Sequence, residues 1–314
     1  EMLFDAHARA FAAFGGIPRR GIYDNMKTAV DRVGRGKERT VNARFQAMCG
    51  HYLFEPEFCN RAAGWEKGVV EKNVQDRRRQ IGVELGQRHW SSLAELNAWL
   101  ASECRAAWDT MAHPEWPELM IAEVWENEQP QLMPAPQPFD GYLELPVRVS
   151  GTALIHFQRN RYSVPTEAAH RVISLRVYPF ELVLVSDGRV LARHERCFDR
   201  YQTKYDWQHY IHTVQRKPGA LRDGAPFVHM PAPLRTLQHH LVRRPGGDRV
   251  MAQVLAAVPV HGLEAVEVAV ELVLASGAPN GEHVLNVLAR LSAPLVRVAN
   301  IMTELTLNEE PQAD

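Results

Sequence analysis

The sequence predicts an α/β domain, then a small antiparallel β-barrel, then an α-helical tail. Three observations carry this. Helix-period segments alternate with short β-branched or aromatic runs as far as about residue 110. Period-two alternation takes over between 142 and 200. From 231 onward the apolar residues return to helical spacing, after a connector that begins at 201. A proline-rich stretch without lysine or arginine, 111–141, separates the α/β domain of 1–110 from the barrel of 142–200, and the tail fills 201–314.

Each element follows from its residues. Leu3, His7, Ala10, Phe11 and Phe14 share one face of a helix over 2–14; Gly15 and Gly16 stop it and Pro18 bars its continuation. Gly21 to Tyr23 reads as a short strand ending at Asp24, and "DRVGRGKERT", 31–40, as a polar loop. Residues 41–53 fit a helix with Phe45, Met48 and Tyr52 on one face. "FEPEFCN" reads as a short strand and turn, "RAAGWEKG" as a loop, and a helix runs from about Val69 to Leu85. Ser91 or Ser92 caps the next helix, with Glu95 at capping-box distance. Six prolines make 112–141 a linker or extended arm, with one helical turn around "ELMIAEVWENE". The runs "VRVSGTALIHFQRNRYSVP", "VISLRVYP" and "ELVLVSDGRVLARHER", broken by SG, RN and SDGR turns, give about five strands. Four helical segments follow from "PLRTLQHHLVRR" to "GEHVLNVLARLS".

A chain of 314 residues suits two or three domains, and 46% hydrophobic residues suffice for ordinary cores. No apolar run approaches the roughly 18 residues of a membrane helix. The opening "EMLFDAHARAFAAF" lacks the layout of a signal peptide, and Glu1 already sits inside an amphipathic pattern, so the true start is expected upstream. Four cysteines without framework spacing fit a reducing cytoplasm. Cys49, His51 and Cys59 raise a zinc site, but no second ligand pair completes one; buried thiols are the plainer reading.

The net charge of −1 conceals segregation: 1–110 carries 17 basic and 14 acidic residues, 111–145 none and 7, 146–246 16 and 7, and 247–314 3 and 9. A basic block in a neutral protein points to a polyanion, or to a solvated face. Seven arginines (Arg159, Arg161, Arg171, Arg176, Arg189, Arg193, Arg196) crowd the barrel, where alternate residues face outward and guanidinium groups pair with phosphate. Tyr162 is expected to pack. Trp207, Tyr205 and Tyr210 read as a local core before they read as stacking platforms. The histidines, including His209, His212, His239 and His240, lack a partnered nucleophile and are assigned no chemistry.

Asp24 at a strand end and Glu71 near a helix start suit oxygen ligation of a hard divalent cation. Two such ions clamp the attacking and leaving oxygens of an in-line phosphoryl transfer. Spacing alone is a weak guide, since two acids so far apart are ordinarily unrelated. Helical turns align Glu71, Gln75 and Arg78. The same alignment serves an exposed helix with Glu71–Gln75 and Asp76–Arg79 contacts.

"KGVVEKNVQDRRRQ" resembles the third-acid helix of the DDE transposase and retroviral integrase superfamily: Gly68, Val69 and Val70 precede Glu71, and basic Arg78 follows seven positions later. "YDN" resembles the segment bearing the second aspartate, here Asp24. "AFAAFGGIPRRGIYDNMKTAV", "NRYSVP", "YDWQHY" and "RKPGALRDGAPF" are similar, in that order, to transposases of the IstA type, from residue 1 to about 295. The resemblance implies a ribonuclease-H-like core, partial here, then a barrel like that following the core of the Mu transposase. It implies metal-dependent cleavage and strand transfer of transposon ends into target DNA. Two Mg2+ (or Mn2+) ions would be held by Asp24, Glu71 and a first aspartate. That aspartate is expected before Glu1, because Asp5 sits among helical neighbours; the chain alone should be inactive. Lys67, Lys72, Arg78 and Arg79, with Arg159, Arg161 and Arg176 of the barrel, would contact DNA. A homo-oligomer on paired ends, an AAA+ ATPase of the IstB type and a bacterial, nucleoid-associated location are implied likewise, and no membrane. Two other readings stay open: a non-catalytic DNA-binding remnant, and a protein-interaction scaffold built on the acidic C-terminal helices.

Overall fold

The computed structural model describes residues 1–33, 39–59 and 68–292, with the backbone alone at 33, 39, 68–71 and 223. The chain divides into two units, Glu1–Leu145 with Leu175–Val183, and Pro146–Ser174 with Leu184–Asp314.

The first unit begins with helix α1, Met2–Phe14, closed by Gly15 at φ 73°, the left-handed conformation that glycine adopts without strain. Strand β1, Arg20–Tyr23, follows, and then β2, Val30–Val33, and β3, Arg39–Val41. β2 and β3 are antiparallel, Val30 opposite Val41 and Val33 opposite Arg39. This corrects the expectation of a polar loop over 31–40. The interspersed charges hid the β-branched ends of the segment, and Val30 is in fact buried. Helix α2, Ala43–Tyr52, is capped by Asn42, whose side chain accepts from the amides of Arg44 and Phe45. Strand β4, Glu55–Phe58, pairs in parallel with β1. Around these elements Phe4, Phe11, Ile17, Phe45, Met48, Tyr52 and Phe54 form one core. Its aromatic rings meet edge to face, as in Phe11–Tyr52 and Tyr23–Phe45, both at 4.9 Å between centroids.

Helix α3, Gly68–Leu85, and helix α4, Leu93–Thr110, come next. The cap of α4 divides its two arms between both serines. Ser92 accepts from the Glu95 amide, while the Glu95 carboxylate accepts from Ser91, which holds that carboxyl below its usual range. Arg105 of α4 donates to the Ala13 carbonyl at 3.0 Å and lies over Trp108. The base-free segment has more structure than an extended arm. It contains helix α5, Ile121–Glu128, and Met133 exchanges two hydrogen bonds of 2.9 Å with Ile17. Its Phe139 amide donates to the Tyr52 hydroxyl.

Seven strands stand where about five were expected: β5 Leu143–Arg148, β6 Leu154–Phe157, β7 Asn160–Ser163, β8 Val172–Val177, β9 Glu181–Ser186, β10 Arg189–Glu195 and β11 Thr203–Lys204. They lie in two sheets, one ordered β10-β9-β8-β5 and the other β11-β7-β6. β6 and β7 form an antiparallel hairpin with Leu154 opposite Ser163 and Phe157 opposite Asn160.

In the second unit, helices α6 Ile211–Arg216, α7 Ala220–Asp223, α8 Ala232–Val242, α9 Gly247–Ala256, α10 Val258–His261, α11 Leu263–Ala275 and α12 Gly281–Leu291 follow. They share one core. Leu234, Leu237 and Leu241 of α8, Met251 and Leu255 of α9, Val266 and Val270 of α11, and Val284 and Leu288 of α12 are all buried. Residues 201–230 belong to it: Trp207, Ile211, Leu221 and Phe227 join the same cluster, so the connector is a part of the helical core. Gly247 permits close packing, since a Cβ there would overlap the Leu241 carbonyl. Among the described residues no helix is long and apolar enough to cross a membrane.

Candidate carboxylate site and nucleic-acid interface

Asp24 takes its position from β1. Tyr23, the last residue of the strand, is anchored in the aromatic core, with its hydroxyl 2.8 Å from the His7 ring, and burial pushes its pKa well up. Its carbonyl accepts from Cys59 beyond β4 at 2.9 Å. One residue later the chain leaves the sheet, and Asp24 is exposed. Its Oδ1 accepts from the Asn25 amide at 2.6 Å, and the Asn25 side chain donates back to the Cys59 carbonyl at 3.2 Å. The sheet thus holds an exposed carboxylate at the carboxyl end of a parallel strand. Asp5 lies on α1 and pairs with Arg9 at 2.7 Å, as its helical neighbours indicated.

Glu71 falls in the first turn of α3, and its side chain lies outside the described residues, as does the whole of Lys67. Lys72, Gln75, Arg78 and Arg79 are exposed. Arg77 is half-buried and bonds Gln80 at 3.0 Å and the Met111 sulfur. Val74 and Val83 of the same helix remain 45% and 64% exposed.

The barrel-region arginines divide into two groups. Arg159 and Arg161 are exposed. Arg176 is half-buried, pairs with Glu144 at 3.4 Å and lies 4.7 Å from the Tyr142 ring. Arg171 pairs with Asp187 at 2.8 Å, and Arg196 is buried between Phe157 and Phe198. Crowding in sequence therefore does not mean a uniform basic face: Arg171, Arg176 and Arg196 are spent on ion pairs or ring stacking. Tyr162 is wholly buried, its hydroxyl accepting from the Cys197 amide. Trp207 is core, and Tyr210 is half-buried and bonded to the Thr152 carbonyl.

One cluster went unread in the sequence. The Ser163 hydroxyl lies 2.8 Å from His209 Nδ1 and accepts from the Asp206 amide at 2.8 Å; His209 Nε2 lies 3.6 Å from the Asp206 carboxylate. His194 Nε2 bonds the Ser163 carbonyl at 2.6 Å. The residue types imitate a hydrolytic triad, yet Ser163 is 0% exposed. No substrate reaches it, and the cluster ties β7 and β10 to the turn that starts the helical core. Burial depresses the pKa of both histidines.

Among the described residues no group of three or more His, Cys, Asp or Glu could hold a metal ion. Cys49 and Cys59 are buried, and burial pushes the Cys49 thiol up to about 11. His51 bonds the Gln137 carbonyl at 2.7 Å.

Residues 133–206 match the family described as Mu transposase, C-terminal domain. Over 322 aligned residues and all of its length, the chain is 52% identical to a transposase of Aminobacter aminovorans, covering 63% of that protein. It is also 52% identical to the transposase for insertion sequences IS1326/IS1353 of Pseudomonas aeruginosa, covering 62% of it. Similarity to the transposase for insertion sequence element IS21 of Pseudomonas aeruginosa is 30% over 204 residues, 63% of this chain and 50% of the relative. The chain thus spans a little under two thirds of the first two relatives.

Proposed function

We propose, for a chain that belongs with the insertion-sequence transposases related to those of IS1326/IS1353 and IS21, that it carries the second and third acids of a DDE-type phosphoryl-transfer site. The observation that carries this is the 52% identity to such a transposase over the whole length of the chain. The reaction is attack of water, then of a 3′-hydroxyl, on a DNA phosphodiester, freeing a transposon end and joining it to target DNA.

Asp24 and Glu71 are the residues that would hold magnesium or manganese, together with an aspartate proposed to precede Glu1. Carboxylate oxygens suit these hard ions. Bound there, the ions would stabilise the charge on the attacking and leaving oxygens. The described residues alone do not make up the full ligand set. The parallel pairing of β1 with β4 supports Asp24 in this role, because it fixes the backbone from which the carboxylate projects. Arg78 lies seven positions beyond Glu71, on the same helix face, and with Lys67, Lys72 and Arg79 would orient the phosphodiester. Arg159 and Arg161 extend the contact along the backbone; Arg176, already paired, contributes less. A ribonuclease-H-like core, a homo-oligomer on paired ends and an AAA+ ATPase partner of the IstB type complete the reading.

The experiment is a strand-transfer assay on the chain extended at its N-terminal side, with Mg2+ or Mn2+ and DNA carrying an end of the element. Joined products from the wild type, and none from Asp24→Asn or Glu71→Gln, support the reading. Retention of DNA binding without joining in the wild type would favour the non-catalytic remnant.

A further inference from the structure

An aromatic and basic ridge in the second unit surrounds Arg159 and Arg161, and its rings have no part in the chemistry above. β6 and β7 are joined by two residues, Gln158 and Arg159, at φ 48° and 66°. Positive φ at both positions is what a two-residue hairpin demands, and glycine or asparagine usually supplies it. Here an arginine holds the second position and is exposed.

The segment 197–202 runs beside this turn, and Asn160 fixes its shape. Asn160 is 0% exposed. Its amide donates to the carbonyls of Cys197 at 3.0 Å and Asp199 at 2.7 Å, and its oxygen accepts from the Gln202 amide at 2.9 Å. Tyr201 N–H donates to the Arg159 carbonyl, and Arg161 N–H to that of Gln202. Held in this way, Tyr201 adopts φ 63°, a region in which a tyrosine is an outlier. Burying the ring is not the reason, because Tyr201 is 75% exposed. Phe198, three residues earlier, is 56% exposed. Arg159, Arg161, Arg200 and Lys204 in these segments are exposed, against the acids Glu195 and Asp199. A cleft of about 480 Å³, lined in part by Arg196, Phe198, Lys204 and Tyr205, opens alongside.

We propose that this ridge binds DNA with exposed bases, a single-stranded or unpaired end, by stacking bases on Tyr201 and Phe198 while Arg159, Arg161 and Arg200 meet the phosphates. It rests on the reading of the chain as a DNA-processing protein and adds a form of substrate to it. Two solvent-facing rings on a hydrogen-bonded loop lose little freedom on binding, and stacking tolerates any base. The flanking bases select a polyanion over an apolar protein surface.

The test compares binding of the full 314-residue chain to a single-stranded oligonucleotide containing 2-aminopurine and to a blunt duplex of equal length, across salt concentrations. Tyr201→Gly is the informative variant, since glycine suits the left-handed backbone and removes the ring without straining the loop. The expected result is affinity for the single strand lower by about fivefold to a hundredfold, with 2-aminopurine quenching lost and duplex binding nearly unchanged. Phe198→Ala should act in the same direction. Arg159→Ala should instead flatten the salt dependence by about one unit of slope. Wild-type affinity and quenching in Tyr201→Gly would overturn the proposal, as would an equal loss on duplex. Binding of neither DNA by the wild-type chain would overturn the DNA-processing reading as well.

Discussion

Helices α3 and α8 differ in charge, seven charged side chains against one, and come to different ends. In α8, Leu234, Leu237 and Leu241 fall on one face and are at most 3% exposed, while His239, His240 and Arg235 face outward. In α3, Val74 and Val83 stay 45% and 64% exposed, and Lys72, Arg78 and Arg79 are exposed too. Burying a leucine side chain contributes about 1.5–3 kcal/mol. The charge pairs open to an exposed helix contribute about 0.2–0.5 kcal/mol each. α8 is therefore held by the core of its unit. Among the described residues α3 has no comparable support, and its sequence reads as selected for the groups it presents. On the proposed reading, scaffold and chemistry lie on different helices.

The largest effect that would break this contrast is on stability. Leu237→Ala should cost about 2–5 kcal/mol by urea denaturation, the range for a leucine deleted from a packed core. Val83→Ala should change stability by less than about 0.5 kcal/mol. Equal effects would mean that α3 is as deeply packed as α8.

A second, smaller effect concerns the histidine cluster that starts the helical core. The pKa values of His194 and His209 are depressed below 6.5 in the folded chain, chiefly by burial. The unfolded chain then binds protons more readily, so stability is complete above about pH 6.5 and declines as the pH falls below it. The urea midpoint should be lower at pH 5.5 than at 7.5, and replacing both histidines with glutamine should flatten that dependence. A midpoint independent of pH across this window would contradict the burial of the pair.

The smallest effect separates exposed from paired arginines. Arg78→Ala should reduce the slope of log affinity for DNA against log salt by about one. Arg176→Ala should reduce it less, because its guanidinium already faces Glu144 and Tyr142. The reverse order would remove the distinction drawn between them.

What the sequence disclosed follows the range of the forces involved. Helix α1 and its glycine stop, the Ser91/Ser92 cap of α4 and the strand before Asp24 are local, and each was legible. The β2–β3 pair was not, since charged residues masked its few β-branched positions. Nor was the attachment of the base-free segment, which depends on distant partners such as Met133 with Ile17. Among the aromatics, Tyr162 and Trp207 were expected to pack, as large rings ordinarily do, and both are buried. Tyr201 and Phe198 passed unnoticed because their exposure is imposed by Asn160, some forty residues earlier in the chain. A single Asn in "QRNRYS" gives no sign that it will pin a second loop. The roles proposed for Asp24 and Glu71 rest on motif resemblance; spacing alone would have left the two acids unremarked.

The proposed site requires that Asp24 and Glu71 act together on a DNA phosphodiester. Strand transfer by the N-terminally extended chain tests it most directly, with wild type, Asp24→Asn and Glu71→Gln compared at equal DNA occupancy and equal thermal stability. Joined products are expected from the wild type with Mg2+ or Mn2+, and none from either variant. Joining that survives the loss of either carboxylate would contradict the proposed site.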